Sequence, residues 1–446
     1  MSEWKKVKIG DFLTEREGRY KPDDSVIAKY QRLDKIDFSG TIHLSNKPTK
    51  TDMILVQPGD LVISGINVAK GALTVYQGKE PVCATIHYSA YTFDSSIVNL
   101  DYFKLFVKSP AFLEVLKQQV KGGIKTEIKA KHLLSLEIRI PDLPTQNKIV
   151  SLLSEKLLNA ELIAKEIETQ KEYAKQLRQN ILQDAIEGKL TADWRAQHPV
   201  VKGNPGYDAE ALFEKIQKEK MSDKKQKQLP PITDEEKPFE IPDGWKWVRL
   251  GELSISSMAG KSFACEGRAV TANEWGIIKT SAITSGTFIE TENKFYSETE
   301  PGDVFTKINI GDFLFCRASG SKGLAGKSCI VEKINSNLLL SDKSIRIELY
   351  PDIKTHYINM LNNSFYGDNY RLSLGTNKST TMNNLTREQI LNFVIPLPPL
   401  EEQKEIIACL EAKLQTVTAM EKQIDEREQL TKQLMQSILK DAFERG

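Results

Sequence analysis

The sequence predicts an α+β protein: two mixed α/β globular domains separated by two long helices that form an antiparallel coiled coil, with a pseudo-twofold internal repeat. Three observations carry this prediction. A 42-residue stretch recurs without gaps, residues 146–187 answering 403–444 at a constant offset of 257. Both copies have helical periodicity. Each copy follows a globular stretch, and the beginnings of those stretches recur as well.

A chain of 446 residues is too long for one compact core, and usual domain sizes give it two to four units. No apolar run reaches the roughly 18 residues of a membrane span, and the opening MSEWKKVKIGDF has no signal-peptide core, so no membrane partner is expected. The five cysteines are odd in number and include no C-x-x-C pair, which excludes a disulfide framework and a cysteine zinc site. The expected location is the cytoplasm.

The first globular domain is assigned to residues 1–140 and the second to 241–395. Trp4, Val7, Ile9 and Gly10 at the start of the first are answered by Trp245, Val248, Leu250 and Gly251 in the second. Pro58-Gly59-Asp60 feeding Leu61-Val62-Ile63 is answered by Ile310-Gly311-Asp312 feeding Phe313-Leu314-Phe315, in each case a turn entering an apolar strand. The offset drifts from 241 to 252 to 257, so insertions separate the shared pieces. Between those pieces the halves share little, which is what two readers of different targets need and what two copies drifting without such a demand would also show.

The helical regions are assigned to 141–190 and 396–446. In the first, Ile149, Leu153, Ala160, Ile163, Ile167, Ala174, Leu177 and Ile181 recur at spacings of three, four and seven, and Ile406, Leu410, Val417, Met420, Ile424, Leu434 and Ile438 fall at matching places in the second. These residues are expected to form an a/d pairing seam. Matched polar interruptions, Lys156 with Lys413 and Gln170 with Arg427, would fix its register. Pro141 and Pro144 precede the first helix, and Pro396, Pro398 and Pro399 the second. At 1.5 Å per residue each helix is about 63 Å long, a rod that separates what it joins. The connector 191–240 holds one short helical pattern, 209–220, and then KKQKQLPPITDEEKPFE. It is expected to be an exposed tether.

These segments resemble a family. Trp-x-Trp-Val-Arg-Leu-Gly-Glu-Leu at 245–253, Gly-Asp-Phe-Leu-Phe at 311–315, Ile-Pro-Leu-Pro-Pro-Leu-Glu-Glu-Gln at 395–403 and Ala-Ile-Glu-Gly-Lys-Leu-Thr at 185–191 look like those of type I restriction-modification specificity subunits. The first half departs from the pattern with Pro-Asp-Leu-Pro-Thr-Gln, and the second helix has no counterpart of Lys189-Leu190-Thr191. The resemblance implies two target recognition domains that read a bipartite, asymmetric site in double-stranded DNA. It also implies a helical scaffold for two adenine-N6 methyltransferase subunits and, for restriction, motor-nuclease subunits. This chain would bind no cofactor; S-adenosylmethionine is expected on the methyltransferase partner.

Candidate DNA contacts follow from charge and turn chemistry. Residues 1–140 hold 21 Lys+Arg against 16 Asp+Glu, whereas 241–395 hold 17 against 16, so a basic face in the second domain must be local. Lys117, Lys121, Lys125, Lys129 and Lys131 surround a Gly122-Gly123 turn and suit phosphate contacts, with Lys70 as a further candidate. In the second half Thr376, Asn377 and Lys378 lie in SLGTNKSTTMNN, whose amides and hydroxyls suit base edges. Arg317, Lys322 and Lys327 belong to a third loop. Its Gly-Lys-Ser falls short of a phosphate-binding loop, because serine stands at 321 and CIVEKI follows where a helix is needed.

No catalytic or metal-ligating residue is assigned. The chain has no Asn/Asp-Pro-Pro-Tyr/Phe string, its five histidines are scattered singly, and Pro351-Asp352-Ile353-Lys354 lacks the second arm of a nuclease site. The rival readings, a self-contained nucleotide-hydrolysing enzyme or nuclease and a protein-binding coiled-coil adaptor, predict unaided catalysis and no sequence-dependent DNA retention respectively.

Overall fold

The computed structural model describes residues 4–37, 40–65, 72–119, 130–221, 229–302, 306–375 and 383–443. They form two compact units, Met1–Gln170 with Gln423–Gly446, and Lys171–Lys422. Each unit therefore takes one globular half together with a stretch of both long helices.

The first unit runs β1 (Lys5–Lys8), β2 (Leu13–Glu15), β3 (Arg32–Ile36), β4 (Ile42–Ser45), β5 (Met53–Val56), β6 (Leu61–Ser64), β7 (Leu73–Val75), β8 (Val82–Thr85) and β9 (Tyr88–Phe93). Then come α1 (Leu100–Val107), α2 (Pro110–Gln119), α3 (Ala130–Leu134), β10 (Glu137–Ile140) and the long helix α4 (Leu143–Ile186), which continues into the second unit. One sheet has the order β2-β9-β6-β7, another β4-β3-β8-β5, and β1 pairs with β10. The run Leu-Val-Ile-Ser of β6 is buried on both faces, which is why it reads as continuously apolar and not as alternating.

In the second unit α5 (Ala192–Gln197) and α6 (Ala209–Met221) precede β11 (Lys246–Arg249), β12 (Ser254–Ala259), β13 (Trp275–Ile278), β14 (Asn293–Ser297), β15 (Phe313–Cys316), β16 (Ala318–Ser319), β17 (Ser328–Ile330), β18 (Asn337–Leu339) and β19 (Ser344–Leu349). They are followed by α7 (Thr355–Asn363), α8 (Phe365–Ser373), β20 (Asn383–Asn384), α9 (Arg387–Leu391), β21 (Val394–Leu397) and α10 (Leu400–Phe443). The orders β12-β19-β15-β17 and β14-β13-β18, with β11 on β21, repeat those of the first unit, except that among the described residues β5 has no strand counterpart and the β16–β20 pair has none in the first unit. Even the parallel pair β3–β8 has its counterpart in β13–β18.

The echoes in the sequence are hydrogen-bonded equivalents. Gly59 and Gly311 both adopt positive φ, a backbone state that favours glycine. The aspartate after each caps the same turn: Gln57 N–H donates to Asp60 and Asn309 N–H to Asp312, at 2.8 and 2.9 Å. An arginine holds each aspartate, Arg16 on Asp60 and Arg346 on Asp312. Ile9 N–H donates to Leu136 O and Leu250 N–H to Phe393 O, both at 2.9 Å, so each half closes its beginning against its exit.

Gln146 and Gln403 tie each globular half to its long helix. The Gln146 amide oxygen accepts from Asn99 N–H at 2.7 Å, and its Nε2 donates to Pro141 O at 2.9 Å and Ile97 O at 3.2 Å. The Gln403 oxygen accepts from Lys354 N–H at 2.9 Å, and its Nε2 donates to Pro398 O at 3.0 Å. Asn99 and Lys354 are the N-caps of α1 and α7, so the same side chain grips the same helix start twice.

The helix pairing keeps part of the expected a/d seam and departs from the rest. Burial recurs every seven residues at Leu153, Ala160, Ile167, Ala174 and Ile181, and at Gln403, Leu410, Val417, Ile424 and Thr431. The flanking column lies four residues on, at half-buried Leu157, Ala164, Lys171 and Arg178 and at Leu414, Glu421, Glu428 and Met435. Ile406 is buried, and Ile149 and Ile438 are half-buried. Ile163, Leu177, Met420 and Leu434 are not seam residues, being 40%, 41%, 45% and 48% exposed. In the first unit Arg427 donates to Gln170 Oε1 at 2.8 Å; in the second Arg178 donates to Glu421 and Thr418 at 2.8 and 3.0 Å. The helices therefore run antiparallel in both units.

The connector is not an exposed tether through its first part. Ala209, Leu212 and Ile216 of α6 are fully buried in the core of the second unit, with Ala185, Ile186, Trp245 and Ile406 among its members. Polar composition concealed this because the three apolar residues occupy one narrow face of a charged helix. Buried Glu402 completes the anchoring: it accepts from Thr191 Oγ1 and Trp245 Nε1, both at 2.7 Å, and pairs with Arg195.

Candidate nucleic-acid interface

In the first unit, Lys117 sits exposed in the last turn of α2, 3.8 Å from Glu114. Lys70, Lys121, Lys125 and Lys129 lie outside the described residues. Lys131 is on α3, and its side chain is outside them too. At the end of α2 the Gln119 side chain makes two 2.8 Å hydrogen bonds with the backbone of Glu137 in β10.

The Arg317 loop of the second unit divides its cations. Arg317 and Lys322 are exposed. Lys327 is not available to phosphate: it pairs with Asp368 at 2.8 Å and donates to Asn363 O at 3.2 Å, and burial pushes its pKa below the usual lysine range. Ser328 is equally engaged, donating to Asn359 Oδ1 and accepting from Asn362 Nδ2, both at 2.8 Å. Gly326 has positive φ, and a Cβ there would meet Arg371 and Leu385 at 2.6 Å. Gly-Lys-Ser is thus a packed joint between β17 and α7, with its lysine spent internally.

Thr376, Asn377 and Lys378 lie outside the described residues, but the strand that follows them does not. β20 pairs antiparallel with β16, Asn384 opposite Ala318 and Asn383 opposite Ser319. The Arg317 loop and the exit from the 376–382 stretch, far apart in sequence, therefore share one two-stranded ribbon. Periodicity could not reveal a ladder of two residues per strand.

A second surface lies on the long helices. Ile163, Tyr173 and Leu177 of α4 are exposed, and so are their equivalents Met420, Leu430 and Leu434 of α10. The antiparallel register sets Ile163 level with Leu434 in the first unit and Leu177 level with Met420 in the second. Each unit thus carries the same apolar group, one residue from one helix and two from the other.

Among the described residues no group of histidine, cysteine or acidic side chains could hold a metal ion, and no helix is long and apolar enough to cross a membrane.

The family model described as the type I restriction modification DNA specificity domain matches residues 1–173 and again 242–429. The chain is similar to the type I restriction enzyme EcoEI specificity subunit of Escherichia coli, 36% identical over 244 residues, covering 53% of this chain and 39% of that protein. It is also similar to the EcoKI specificity subunit of Escherichia coli strain K12, 23% identical over 391 residues, covering 87% of this chain and 75% of that one. Among solved structures, a chain described under the structural basis of complex assembly and conformational transition of the type I R-M system matches with a TM-score of 0.62 at 16% identity. The match covers 99% of this chain and 97% of that one, and it speaks for the fold.

Proposed function

The chain belongs to the type I restriction modification DNA specificity family, and we propose that it is the sequence-reading, non-catalytic subunit of such a complex. Its two recognition halves bind a bipartite, asymmetric site in double-stranded DNA, and its helices hold two adenine-N6 methyltransferase subunits and, for restriction, motor-nuclease subunits. The methyltransferase partner brings S-adenosylmethionine and the chemistry.

The observation that carries this reading is the duplicated domain: one topology built twice, each copy locked to its helix by the same glutamine, with unlike loops between the shared strands. A kept frame with changed filling suits two readers of different half-sites, and hence an asymmetric target. The repeated apolar group Ile163, Tyr173, Leu177 and Met420, Leu430, Leu434 supports two equivalent partners, because large apolar side chains left in water at matched positions mark interaction surfaces.

The test is to produce the chain with its neighbouring methyltransferase and map modified adenines across a genome. A bipartite motif with an unread spacer is expected. No modification despite assembly, or a single continuous motif, would overturn the reading.

A further inference from the structure

We infer that the β16–β20 ribbon is the base-reading element of the second recognition domain, with Asn384 contacting a base edge and Arg317 and Lys343 gripping the flanking phosphates. This rests on the proposed DNA-reading function and assigns residues to it.

Two observations converge on the ribbon. The first is charge. The second domain is nearly neutral, yet Arg317, Lys322 and Lys343 are all exposed and the fold brings the first and last together. Arg317 N–H donates to Lys343 O at 2.7 Å, and Leu385 N–H donates to Arg317 O at 2.9 Å. The Arg317 backbone is thereby stitched between the ribbon and the turn that enters β19. Asp342 is the exposed carboxylate of that turn, so the corner stays cationic.

The second is side-chain type. An asparagine amide in the major groove of B-form DNA pairs bidentately with adenine N6 and N7. Asn384 stands exposed on the ribbon opposite buried Ala318. The same short element therefore presents a base-reading amide beside a cation suited to phosphate.

The test uses the full chain assembled with its methyltransferase and a pool of randomised DNA duplexes, with the bound fraction sequenced at several salt concentrations. Asn384→Ala is expected to relax preference about tenfold or more at one or two positions of a single half-site, leaving the other half-site intact. Arg317→Ala and Lys343→Ala are expected to weaken binding to all sequences and each to flatten the logarithmic salt slope by about one. Asn384→Gln, which keeps the amide on a longer arm, gives a second reading of the position, and a thermal melt verifies that each variant is folded. If the wild-type complex selects a bipartite motif and folded Asn384 variants select the same motif unchanged, this assignment is overturned while the proposed function stands. If the wild-type complex selects no sequence at all, both fall.

Discussion

Arg427 donates a 2.8 Å hydrogen bond to Gln170, and the two residues occupy the same position in the two copies of the repeated helix, 257 residues apart. In an antiparallel pair of like helices, equivalent positions meet at one level only, and this contact marks that level within the first unit.

The glutamine locks should carry far more stability than this contact. Gln146→Ala and Gln403→Ala each remove hydrogen bonds from a fully buried amide and strand their partners, which is expected to cost about 2–4 kcal/mol. Gln170→Ala breaks one bond at the helix surface and is expected to cost less than about 1 kcal/mol. Denaturant unfolding of the three variants checks the ordering, and equal losses would deny the locks their role.

Acid should loosen the anchoring of the connector. Glu236 pairs with buried Arg249, which also donates to the carbonyls of Pro230, Pro231 and Asn392. The hydrogen bonds from Arg249 hold the Glu236 carboxyl below its usual pKa range. A carboxylate depressed in this way stabilises the folded chain above the unfolded value of about 4.3 and loses that contribution as pH falls through its own lower pKa. Stability measured from pH 6 downward is expected to fall less steeply for Glu236→Gln than for the unsubstituted chain.

The two repeated apolar groups should be separable partner sites. Tyr173→Ser with Leu177→Ser is expected to weaken one methyltransferase contact at least tenfold, and Leu430→Ser with Leu434→Ser the other. Native mass spectrometry of the assembled complexes would then show one partner lost from each double variant and two from the quadruple variant. Retention of both partners in the quadruple variant would place docking elsewhere.

These apolar groups also show what was legible in the sequence. The repeat, the two helices and the turn-strand frame were readable because each leaves a local trace in periodicity, proline or glycine. The seam departs from the sequence pattern at Ile163, Leu177, Met420 and Leu434, since an apolar residue on a helix looks the same in sequence whether it faces its partner helix or lies exposed. The burial of α6 was hidden by its charged face. Lys327 looked like an open cation until Asp368 and Asn363 were placed beside it. The juxtaposition of Arg317 with Asn384 had no trace at all, because two-residue strands far apart in the chain carry no pattern.

The central claim, that this chain reads a bipartite site through two recognition halves joined by paired helices, is tested most directly by inserting one seven-residue repeat into α4 and the equivalent one into α10, then mapping modified adenines. Seven residues preserve the burial column and add about 10 Å to each helix. The same two half-site sequences should be found, with an unread spacer about 3 base pairs longer. Modification at the original spacing would contradict the account.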